Sequence, residues 1–159
     1  MSFLAFFHWL AQTRIGLLMR DSTWGFAIVE IGHLLAIAIF GGAILLVDLR
    51  MMGFGFKTQP VSRVARELLP LTAGGVIVLA ISGALLLASG PMRYYYNPAF
   101  RIKMLLFFIA LIFHFVLQVR AARTTGERDK SSPLRKVAAI LSLALWLSIG
   151  LAGRAIGYV

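Results

Sequence analysis

The sequence contains no cysteine. That excludes a disulfide framework, a thiolate metal site and covalent haem attachment. Acidic residues are also scarce. Six Asp and Glu stand against sixteen Lys and Arg, and charged residues make up 14% of the chain. Soluble domains carry about a quarter. No Walker loop, G-x-S-x-G elbow or H-E-x-x-H occurs, so no catalytic motif is available. No segment alternates apolar and polar residues, so strands are not expected. The opening MSFLAFFHWLAQTRIGLLMR lacks a basic region before its apolar run and is not read as a cleaved signal.

What is present is mainly apolar. Hydrophobic residues make up 60% of the 159, and the mean hydropathy is +0.86. An integral membrane protein follows, as one domain over residues 1–159. A net charge of +10 would suggest nucleic acid in a soluble protein. Here the basic residues mark loops beside anionic lipid, so the lipid bilayer is the expected partner and nucleic acid is not.

Four apolar runs reach the roughly 20 residues that a helix needs to cross a bilayer. They lie at about 23–49, 68–88, 100–119 and 134–155. Asp21 and Ser22 are N-cap candidates for the first, and Pro70 falls in the expected first turn of the second. Ser132 and Pro133 read as the cap and first position of the fourth. The fold class is all-α: a four-helix transmembrane bundle with a short N-terminal interfacial helix at about 2–13. Phe3, Leu4, Phe7, Leu10 and Ala11 share one face of that helix.

Basic residues set the orientation. The first and third loops hold ten Lys and Arg, and the N-terminal segment, second loop and tail hold six. Both termini are therefore expected to be periplasmic, in a bacterial inner (cytoplasmic) membrane. Asp48 is expected to anchor the inner end of the first span by pairing with Arg50 or a basic neighbour.

Polar residues interrupt the spans in a pattern. Glu30, His33, Ile37, Gly41, Ile44 and Asp48 form a stripe on the first at three- and four-residue steps. Lys103, Phe107, Ala110, His114 and Gln118 do so on the third. Ionisable groups in hydrocarbon cost a few kcal/mol or more, so both stripes should face the bundle interior. His33 lies roughly 15 Å from the start of its span and His114 roughly 21 Å from the start of the third, at 1.5 Å per residue.

Two histidines at one level on opposite helices can ligate a haem iron axially. The leading expectation is a membrane electron-transfer protein with one non-covalent haem b between His33 and His114. Glu30 would orient His33. Gly41 and Ala110 would leave room for the macrocycle, Phe40 and Phe107 would wall it, and Lys103 and Arg154 would pair with propionates. Four other readings stay open. Glu30, His33 and His114 could form a two-histidine, one-carboxylate site for a non-haem metal such as iron. The seam could specify packing alone in a cofactor-free accessory subunit. Glu30 and His33 could serve a transporter of metal or a small solute. A proton relay could run through Glu30, with Arg154 as its partner or snorkelling outward. A quinone or a periplasmic redox protein suits the electron-transfer reading, and a homodimer is an arrangement the sequence allows.

Several stretches carry a resemblance. VEIGHLLAIAIFGGAILLVDLRMMG, RVARELLPLTAGG, RYYYNPAFRIKMLL and the closing AGRAIGY together resemble a family of small bacterial four-helix integral membrane proteins of unknown function. The resemblance covers Ser22 to Tyr158 and implies importance for Glu30, His33, Asp48, Arg50, Asn97, Phe100, Lys103 and Arg154. More loosely, the layout is similar to bacterial membrane cytochromes b and to copper-resistance membrane domains.

Overall fold

The computed structural model describes residues 2–55, 58–123 and 133–158, apart from the side chain of Phe3. Among these residues there are seven helices and no strand. They are α1 (Phe3–Gln12), α2 (Arg14–Asp21), α3 (Thr23–Met52), α4 (Val61–Ser89), α5 (Pro91–Tyr96), α6 (Pro98–Ala122) and α7 (Pro133–Ala155). The helices α3, α4, α6 and α7 have 30, 29, 25 and 23 residues, and each is long and apolar enough to cross a membrane. The protein is thus a multi-pass membrane protein. Lys57, Arg128, Lys130 and the expected cap Ser132 lie outside the described residues.

Short side chains start the helices. Ser22 Oγ accepts from Gly25 N–H at 3.0 Å, and Asn97 Oδ1 accepts from Phe100 N–H at 3.0 Å. Asn97 Nδ2 also donates to the Ile156 carbonyl at 3.1 Å, which ties the start of α6 to the end of α7. Gly53, at φ 95°, ends α3 in the left-handed region that glycine enters without a steric penalty. Arg50 Nε then donates to the Gln59 carbonyl at 2.8 Å and closes the following loop.

Three stretches outside the expected helices are helical. Helix α4 begins at Val61, so Pro70 lies inside it rather than in its first turn. The added turns are amphipathic: Val61, Val64 and Ala65 are buried, while Arg63, Arg66 and Glu67 face outward. Their charges made them resemble a loop. The aromatic connection forms α5, and Arg14–Asp21 forms α2.

The spans pack in the ring order α3–α4–α6–α7, which places α3 and α6 across a diagonal. We call the end where α3 and α6 begin the upper end. There α1 joins α5 through Phe7 and Tyr95, whose rings lie 5.3 Å apart. Helix α2 docks on the top of α4 at Gly16, where a Cβ would come within 3.0 Å of the Ala88 carbonyl oxygen. The lower core gathers Val47, Met51, Val61, Ala65, Ala121 and Ala139. The middle core gathers Ala36, Phe40, Ile44 and Leu79, with Trp146 against them.

Candidate functional site

The interior is built in three tiers. The middle tier is aromatic. The Trp146 ring lies 5.1 Å from Phe40, 6.1 Å from Phe107 and 6.3 Å from His114, all edge-on. Gly75 makes room for Phe40: a Cβ there would lie 3.0 Å from the Cβ of Phe40. Trp146 also fixes the register, because α6 passes it between Phe107 and His114 while α3 passes it at Phe40.

The lower tier is polar and buried. Asp48, Thr72, His114, Gln118 and Ser142 are each at most 1% exposed, and they come from all four spans. Part of the tier is satisfied. The Thr72 hydroxyl donates to Gln118 Oε1 at 2.9 Å, and Gln118 Nε2 donates to the Ala65 carbonyl at 3.3 Å. The rest is not. Both carboxylate oxygens of Asp48, both ring nitrogens of His114, Ser142 Oγ and Trp146 Nε1 are buried without a hydrogen-bond partner. Asp48 lies beside Ser142, which stands one helical turn from Trp146. Buried polar groups are nearly always bonded, and an unbonded charged group is the costliest case. Among the described residues, no group of three or more His, Asp or Glu is placed to hold a metal ion.

The upper tier is half-buried. His33 Nδ1 lies 2.7 Å from Ser82 Oγ, and that hydroxyl donates to the Val78 carbonyl at 2.6 Å. Lys103 reaches in from α6, close enough to His33 for its charge to be felt there. Its ammonium rests over Gly153 of α7, where a Cβ would lie 3.5 Å from Nζ.

The structure brings together some of the residues singled out from sequence and separates others. Phe40, Phe107 and His114 meet around Trp146. One tier above, His33 meets Ser82 of α4, and Lys103 lies against Gly153 of α7. His33 and His114 are not at one level: His33 stands seven residues, roughly 10 Å along the axis at 1.5 Å per residue, above Phe40, and Phe40 and His114 both meet Trp146. Glu30, Ile37 and Gly41 are exposed, and nothing lies within 4 Å of a Cβ built on Gly41. The inward side of α3 carries Ala36, Phe40, Ile44, Val47, Asp48 and Met51 instead. The lower half of the expected stripe is therefore inside and its upper half is outside. Arg154 is exposed, with its guanidinium 5.2 Å from the Tyr158 ring centre. Asp48 does not pair with Arg50, which bonds the Gln59 carbonyl. On α6 the full expected stripe, from Lys103 to Gln118, turns inward or toward a neighbour.

Ser142, Trp146, Ser82, Thr72 and Gly75 were not singled out from sequence. The i,i+4 pair Ser142 and Trp146 was the available signal, since it continues the buried Ala139 face of α7.

A family model matches residues 6–159. The chain belongs to the family of unknown function DUF6644. Comparisons with curated proteins and with solved structures return no match. Membership in the family therefore fits the membrane architecture and leaves the chemistry to be argued from the site.

Proposed function

We propose that the protein binds and passes protons inside the membrane by way of two buried groups, Asp48 beside Ser142 and His114 beside Trp146. One observation carries this reading: a carboxyl and an imidazole lie buried between spans with no well-formed hydrogen bond, although Ser142 stands beside Asp48 and Gln118 beside His114. Such groups are expensive in hydrocarbon, and proton relays are among their known uses. A seam that served packing alone would bond its polar groups to one another, as Thr72 and Gln118 do. Asp48 and His114 remain as exchangeable proton sites. On the positive-inside distribution of Lys and Arg, the lower tier faces the cytoplasm of a bacterial inner membrane.

The test is proton flux into liposomes that contain the purified protein and a trapped pH dye, driven by a potassium diffusion potential. Wild type should acidify the lumen faster than protein-free liposomes. Asp48→Asn and His114→Ala should each return the rate to background. Wild-type flux at background would refute the reading.

Haem b is the second reading, and a different observation favours it. His114 has no protein partner on either ring nitrogen, and Ser82 engages His33 at Nδ1, which leaves Nε2 for a metal. One iron takes both axial nitrogens at one level, so on this reading a ligand other than the second histidine completes the site. Visible spectra of protein made under haem-replete conditions decide it. Soret and α bands that vanish in His114→Ala would support electron transfer, and their absence from wild type would end the haem reading.

A further inference from the structure

We infer that His33, Ser82 and Lys103 form a second proton station above the aromatic tier, with Ser82 fixing which nitrogen of His33 takes the proton. The inference rests on the proton reading and extends it from a site to a route. The Ser82 hydroxyl has one hydrogen. Its oxygen lies 2.6 Å from the Val78 carbonyl, a distance at which two oxygens repel unless a hydrogen lies between them. That hydrogen is therefore directed to Val78, and Ser82 Oγ accepts from His33 Nδ1–H at 2.7 Å. Nε2 of the neutral ring is then a lone pair.

The charged groups around His33 are few. From α6 comes Lys103, which has no carboxylate partner among the described residues. On α3 itself Glu30 is exposed. On α7 Arg154 turns to Tyr158. From α4 the facing group is the uncharged Ser82. Lys103 and His33 share no direct hydrogen bond, so a water can join the ammonium to Nε2. The transfer is balanced. A proton leaves Nζ as the N–H bond breaks and arrives at Nε2 as a new N–H bond forms, giving an amine and an imidazolium. Water at the upper end restores the proton to Lys103.

The station also explains the aromatic tier. Phe40, Phe107 and Trp146 lie between the two polar tiers, and Trp146 Nε1 is a buried polar atom among them. Without that layer the route would be an open leak.

Nitrogen-15 NMR of histidine-labelled protein in bilayers tests the station. The His33 signal, assigned by its loss in His33→Ala, should report Nδ1–H. Ser82→Ala should move it toward Nε2–H, and Ser82→Thr should restore it. An Nε2–H ring in wild type, or no change in Ser82→Ala, would overturn the assignment. Lys103→Met should shift the His33 nitrogens and remove the dependence of proton flux on upper-side pH, leaving the dependence on lower-side pH. No response of His33 to Lys103→Met would overturn the station. If wild type passed no protons, the proton reading would fail, while these NMR signals would still judge the station by themselves.

Discussion

The two polar tiers solve the same problem in different ways. In the upper tier His33 is half-exposed and bonded to Ser82, and Lys103 is half-buried against Gly153. In the lower tier Asp48 and His114 are sealed in and unbonded. Asp48 and His114 carry a desolvation cost with no well-formed bond to offset it, whereas in the upper tier that cost falls on Lys103 and His33 is bonded. The difference teaches that polarity in a span is weak evidence by itself. Burial without a well-formed bond is the stronger sign, and here it marks Asp48 and His114.

The comparison can be broken at its divider. Trp146→Ala removes the ring that touches Phe40, Phe107 and His114, and should cost about 3–5 kcal/mol of stability by detergent unfolding. It should also join the tiers and raise proton leak. A stable, leak-free variant would argue against the layer. Gly75→Val should follow at about 1–3 kcal/mol, because its Cβ meets Phe40. Its unfolding curve checks this, and an unchanged midpoint would mean that Phe40 can withdraw.

Smaller effects sharpen the contrast. Gln118→Leu breaks the bonded half of the lower tier and should cost about 0.6 kcal/mol, at most about 1.7, as interhelical polar bonds in membranes do. Proton flux should persist in it, unlike in Asp48→Asn. Glu30→Gln should change stability by less than about 0.5 kcal/mol, because Glu30 is exposed. A larger change would place Glu30 in an interface with another chain.

Much of the architecture was legible in the sequence. Composition and run length indicate four spans, and Ser22 marks the start of α3. The α6 stripe was legible because one straight helix keeps its phase from Lys103 to Gln118. The α3 stripe was not. Helix phase does not tell its ends apart: Glu30 and Asp48 lie five whole 3.6-residue turns from each other, yet Glu30 is exposed while Asp48 is buried beside Ser142 of α7, so the difference lies in which neighbours cover that face at each level. The depth of His33 relative to His114 was also illegible, because it depends on how α7 places Trp146 between α3 and α6. The basic start of α4 resembled a loop, since charge on one face hid the apolar face opposite.

On the proton reading, Asp48 exchanges its proton with the surrounding water although it is buried. Infrared difference spectroscopy of the protein in bilayers, stepped in pH, tests it most directly. The account predicts a carboxylic-acid carbonyl band that appears as pH falls, shifts in deuterated buffer and is missing from Asp48→Asn. A spectrum in which wild type and Asp48→Asn are the same at every pH would contradict it.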